Sequence, residues 1–215
     1  MKADQRKKLI LEHAKRLFSK KGYYDTQISD IVDEAKIARG TVYQYFKNKE
    51  QVFQELNDLI IERFMSRAES VSLTGLNFDE RLKKIIALLY DHIKNHLPFH
   101  RILGESELID RVTLAYYEAL ARFLRNFLRN ETVAGNIRSL DLNIIAYGLI
   151  GICYFNSLKW REPQENLSEE QIVSLMAELI MNGISGPVEW KRPPDWDMLT
   201  PVSYTHLTLP TILLV

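Results

Sequence analysis

Apolar residues in this chain recur at helical spacing from Ile10 almost to Gly186, and nowhere do they alternate as a β-strand requires. Ile10, Ala14, Leu17 and Phe18 fall at i, i+4, i+7 and i+8, one face of a first helix that Gly22 ends just after Lys20 and Lys21. Ile28, Ile31, Val32 and Ala35 make a short second helix, with Thr26 expected as its N-cap. A third spans roughly Arg39 to Phe46. Asn48, with Gln51 three residues on, opens a fourth that runs to about Ser70; Asn77 and Glu80 open a fifth that ends near Pro98. A short helix is expected over 99–104 and a long one over about 106–130, with Leu114, Tyr117, Ala121, Leu124 and Leu128 along one stripe. The segment 141–160 is apolar on nearly every side and is expected to be buried on nearly every side. Ser168 and Gln171 open the last helix, whose face is Ile172, Leu175, Met176, Leu179 and Ile180. The expected fold class is all-α, with about nine helices: a three-helix head over 1–48 and a larger body over 49–186.

Composition excludes several classes. Apolar residues make up 46% of the 215, too many for a disordered chain. No run approaches the ~18 apolar residues of a spanning helix, no signal peptide stands at the start, and no membrane role is expected. Cys153, the single cysteine, has no internal partner for a disulfide, which fits a reducing cytoplasm. The formal net charge is zero, but residues 1–50 hold 12 Lys+Arg against 7 Asp+Glu. A basic head on an acidic body is the asymmetry of a nucleic-acid reader joined to a regulatory domain.

The tail over 187–215 loses the periodicity. Residues 202–211 resemble a translated transposon-type sequencing adapter, so 202–215 is expected to be read-through joined to the natural chain near Pro201.

The functional signal lies in the head. The second and third helices are joined by Lys36, Ile37 and Ala38, and two short helices on such a turn form a helix-turn-helix whose second member enters the major groove. Val42 and Phe46, four apart, can pack inward on Ile31 and Ile37, leaving Arg39, Gly40, Thr41, Gln44 and Tyr45 outward. Arg and Gln pair with base edges, and Gly40 removes a side chain where backbone must come close. Tyr43 and Tyr45 offer hydroxyls to phosphates, and Lys49 sits at a helix start, where amides also favour a phosphate.

The stretch from Thr26 to Phe53 resembles the DNA-binding signature of the tetracycline-repressor (TetR) family of bacterial regulators. The resemblance rests on Thr26 to Ile31, on Gly40-Thr41-Val42-Tyr43-Gln44-Tyr45-Phe46 and on Asn48-Lys49-Glu50. It implies a homodimeric repressor of double-stranded operator DNA, released by a small effector that is hydrophobic or acyl. It places Gln27, Ser29, Arg39, Gly40, Thr41, Tyr43, Gln44, Tyr45 and Lys49 at the DNA. Two positions depart from the family pattern. Lys36 stands where the family usually has Gly, at a position that often needs φ > 0, and Ala38 stands where a Ser or Thr would cap the third helix.

In the body, Gly148 and Gly151 would let a neighbouring helix approach 141–160 closely. The family implies a four-helix bundle of this helix and 168–184 from two subunits, with Leu175 and Leu179 in the interface. Effector-pocket candidates are Phe64, Tyr90, Phe99, Leu103, Tyr116, Tyr117, Phe123, Tyr147, Cys153 and Tyr154, several of them aromatic with a polar tip. Arg101 to Glu107, followed by Tyr116 and Tyr117, is similar to a branch of the family linked to acyl or other hydrophobic effectors. His92, His96 and His100 are read as a solvated helix end, with no metal or cofactor implied. No converging acids, bases or ligands suggest an enzyme. The second functional class is a helical protein-interaction module that has lost DNA binding.

Overall fold

A computed structural model describes residues 3–97, 107–160 and 167–184. Among these the regular elements are eight α-helices: α1 (Ala3–Lys21), α2 (Ile28–Ala35), α3 (Arg39–Tyr45), α4 (Lys49–Ser70), α5 (Phe78–Asn95), α6 (Glu107–Val133), α7 (Leu142–Lys159) and α8 (Glu169–Ile184). The chain is all-α, as the periodicity requires. The short helix expected over 99–104, Phe99, His100, Leu103 and the whole tail, including its adapter-like end, lie outside the described residues.

Local chemistry sets the helix ends. Gly22 takes φ 87° and donates its N–H to Phe18 O at 2.9 Å, stopping α1 in the left-handed conformation that glycine adopts without strain. Asn48 Oδ1 accepts from Gln51 N at 2.8 Å, while the Gln51 side chain accepts from Lys47 N. Asn77 with Glu80, and Ser168 with Gln171, close full capping boxes at α5 and α8. The expectation for α2 was wrong by one residue. Its N-cap is Gln27, and Thr26 is fully buried, with its hydroxyl donating to Gly22 O at 2.7 Å.

One continuous core runs from Ile10 and Phe18 through Phe53, Leu56 and Ile60 to Leu89, Leu124 and Met176. α4 packs against both α1 and α6, while α5 packs against α7 and α8. The α6 stripe differs from the expected one: Leu114 is 64% exposed, and Tyr116 and Leu120 hold the core positions with Ala121, Leu124 and Leu128. Each helical position turns the side chain by ~100°, so choosing Leu114 over its neighbours misplaces the start of the stripe.

α7 also departs from expectation. Its inner side (Ala146, Leu149, Ile150, Cys153) is buried, but Ile144, Tyr147, Phe155 and Leu158 are exposed in the single chain. Ile144, Gly148, Gly151, Phe155 and Leu158 fall at i, i+4, i+7, i+11 and i+14, one apolar stripe with two glycines at its centre. Leu175 and Leu179, expected on one face of α8 with Ile172, Met176 and Ile180, stand exposed along the edge of that buried face.

Candidate nucleic-acid interface

The turn between α2 and α3 is built against a conformational cost. Lys36 takes φ 52°, ψ 44°, the one positive φ outside glycine among the described residues. Ile37 N reaches back to Val32 O at 3.3 Å, which satisfies a carbonyl at the end of α2 in the manner of a Schellman turn. The departure from Gly at this position therefore carries the left-handed strain anticipated from the sequence, about 1–2 kcal/mol for an L-residue. Ala38 precedes α3 in an extended conformation and makes no side-chain cap.

α3 divides cleanly by side. Val42 and Phe46 are buried in the head core. Arg39, Gly40, Tyr43 and Gln44 are exposed, and Thr41 is half-buried. Tyr45 is half-buried and packs against the core beside Phe46. The Arg39 guanidinium lies 5.7 Å from the Tyr43 ring centroid, so the two outward groups brace each other. A Cβ on Gly40 would meet nothing within 4 Å, so the chain itself does not require glycine there. At the start of α2, Gln27 and Ser29 are exposed and 3.4 Å apart through Oε1 and Oγ. The Gln27 backbone N–H, bonded to the Asp30 carboxylate at 2.9 Å, holds that carboxyl below its usual range.

Lys49 differs from the simple picture of a free phosphate ligand. Its ammonium donates to Tyr23 O at 2.7 Å and Tyr24 O at 3.1 Å and sits 4.4 Å from the Tyr23 ring centroid. Partial burial there lowers its pKa. Tyr24, 53% exposed beside this clamp, went unnoticed in the sequence, although the paired tyrosines after Gly22 mark a rigid aromatic corner.

In the body, five rings form one chain. Phe64 lies tilted against His92 at 4.6 Å and meets Phe123 edge to face at 5.3 Å, His92 lies 6.0 Å from Tyr116, and Tyr116 lies 5.3 Å from Tyr117. The reading of a solvated helix end at His92 is overturned. His92 is 2% exposed, and its Nε2 is 2.8 Å from the Tyr116 hydroxyl. His96 Nδ1 bonds His92 O at 2.7 Å, and burial lowers the His96 pKa. Burial pushes the Tyr117 phenol and the Cys153 thiol up to about 12. Tyr90 is buried and its hydroxyl has no hydrogen-bond partner among the described residues, and Tyr154 is half-buried. Tyr147 does not join these residues: it is 42% exposed and donates to Glu118 at 3.3 Å on the outer face. Among the described residues no group of three or more His, Cys, Asp or Glu could hold a metal ion. No helix among them is long and apolar enough to cross a membrane.

These features define an all-helical protein with a helix-turn-helix head. Residues 10–56 match the family model of bacterial regulatory proteins, tetR family, and the chain resembles that family. It is 26% identical over 187 residues to the HTH-type transcriptional regulator YhgD of Bacillus subtilis (strain 168), spanning 84% of this chain and 97% of that protein. Its fold is similar to that of a TetR-family transcriptional regulator from Syntrophomonas wolfei str. Goettingen, with TM-score 0.73 and 23% identity over 88% of this chain and 100% of that one. It is also similar to AibR, solved in complex with isovaleryl coenzyme A and operator DNA, with TM-score 0.62 and 23% identity over 81% of this chain and 97% of that one.

Proposed function

We propose that the chain is a homodimeric transcriptional repressor that places two copies of α3 in the major groove of a palindromic operator and is released by a small hydrophobic or acyl effector. The observation that carries this reading is the division of α3. Val42 and Phe46 anchor it, while Arg39, Gly40, Tyr43 and Gln44 are presented outward on a helix that needs none of them for packing. Gly40 fits an external demand, since nothing in the chain fills the space a Cβ would take. The exposed stripe on α7, with Leu175 and Leu179 on α8, supports the dimer, because one helix-turn-helix reads too few base pairs alone. The described pocket candidates Phe64, Tyr116, Tyr117 and Phe123 support an apolar effector, and AibR with isovaleryl coenzyme A and operator DNA supports the pairing of acyl ligand and operator.

Gel shifts on duplex DNA from the chain's own upstream region test the reading. Gln44→Ala and Arg39→Ala should relax sequence choice, each erasing about 1–3 kcal/mol of discrimination at one base pair. Tyr43→Ala should weaken all sequences alike. Unchanged affinity in all three would sink the proposal. A wild-type protein with no salt-dependent duplex affinity would favour the interaction module instead.

A further inference from the structure

Two lysines bracket α3. Lys36 stands three residues before the helix begins and Lys47 two residues after it ends. Both are exposed, and neither ammonium has a hydrogen bond, ion pair or ring contact among the described residues. Lys49, close by, is the contrast, since its ammonium is held by the Tyr23 and Tyr24 carbonyls. Acidic groups near Lys36 do not engage it. Glu34 faces Arg16 at 3.5 Å and His13 at 3.9 Å on α1, and the exposed Asp33 forms no ion pair with Lys36.

Lys36 is the more informative of the pair. It is the only polar side chain in the 36–38 turn, because Ile37 packs on the core and Ala38 has no polar side-chain atom. Its backbone lies at φ 52°, a conformation that costs a residue with a Cβ and that glycine adopts freely. Backbone strain of this kind gathers at binding sites, and here the fold draws no polar contact from the side chain to offset it. A cation at the end of α2 is also favoured by that helix's own field. Such a structural role would cost stability when the charge is removed and would leave the salt dependence of DNA binding alone. When a recognition helix enters the major groove, the residues flanking it pass the phosphates along the groove edges, where positioning contacts are made. We infer that Lys36 and Lys47 grip phosphates on either side of α3, each ammonium donating to a phosphate oxygen. The inference rests on the operator-binding reading above and assigns the cations that carry its salt dependence.

The test is the affinity of the full chain for duplex DNA from about 50 to 200 mM salt, on the upstream duplex and on a shuffled one, with urea unfolding measured beside it. Lys36→Gln removes the charge and keeps the strain. It should weaken both duplexes about tenfold at the lowest salt and lower the slope of log affinity against log salt by about 0.9 for each bound head. Lys47→Gln should do the same, and the double variant should lower the slope by about 1.8 per head. Lys36→Arg should keep the wild-type slope, whereas Lys36→Gly should lose slope while its urea midpoint rises. The inference is overturned if either Gln variant keeps the wild-type slope, or if Lys36→Arg loses as much slope as Lys36→Gln. A wild-type chain without salt-dependent duplex affinity would bring down the repressor reading and this inference together. A normal wild-type slope that survives both Gln changes would bring down this inference alone.

Discussion

At the scale of single residues, the head trades stability against position in three places. Lys36 is exposed and holds a left-handed conformation with no side-chain hydrogen bond or ion pair among the described residues in return. Lys36→Gly should therefore stabilise the chain by roughly 1 kcal/mol, read as a higher urea midpoint at unchanged slope. Ala38→Ser should add a further ~1 kcal/mol by supplying the missing cap of α3. Lys49 makes a sharper prediction, because its ammonium is already committed to two carbonyls and a ring. If it serves to position the 22–27 turn, Lys49→Gln should lower the thermal midpoint and the duplex affinity while leaving the slope of affinity against salt unchanged. A direct phosphate contact would instead reduce that slope by about 0.9. The turn departures were legible in the sequence because both depend on backbone chemistry tied to residue type. The engagement of Lys49 was not, since its partners are carbonyls 25 and 26 positions away that carry no side-chain signature.

At the scale of elements, α5 and α6 are tied by a half-buried ion pair. Arg81 donates through Nε and Nη2 to the two Glu131 oxygens, both at 2.7 Å, and Asn136 adds a bond at 2.7 Å. Glu131 is 4% exposed. Burial pushes its carboxyl up, but the bonds from Arg81 and Asn136 outweigh that and hold it below the ordinary value. The folded pKa is lowered, so this contribution is complete above the unfolded value near 4.5 and is lost as pH falls below it toward the folded one. Glu131→Gln should destabilise the chain at pH 7, and the gap to wild type should shrink as unfolding is repeated toward pH 3. By contrast Lys83→Ala, which removes an exposed i,i+4 pair with Asp79, should change little. Helix boundaries were readable because caps such as Asn77 and Ser168 announce themselves locally. The inward faces of α6 and α5 were less so. Tyr116 and His92 satisfy each other's polar atoms across 24 residues, and a period alone does not reveal that a histidine has found such a partner.

At the scale of the whole molecule, the question is what covers the outer face of α7 and α8. A second copy is the proposed occupant, so Leu179→Glu, on a residue 66% exposed in the single chain, should leave the fold intact. It should reduce the mass measured by light scattering from twice 25.1 kDa to 25.1 kDa. Duplex affinity for a two-half-site operator should fall with it, whereas non-specific, salt-sensitive binding by one head should persist. Sequence suggested this face through Gly148 and Gly151, yet read 141–160 as buried all round; both hold only if the burial is shared between chains.

The length of α4 sets a scale for how such an assembly responds. The helix runs unbroken for 22 residues, about 33 Å at 1.5 Å per residue. Treated as a rigid rod pivoting at Ser70, a tilt of only about 5° carries its Lys49 end through roughly 3 Å. That is close to the ~3.4 Å step between successive bases along a strand. In a two-headed reader, a disturbance too small to disrupt any helix would put both recognition helices out of register with their half-sites by nearly a full base.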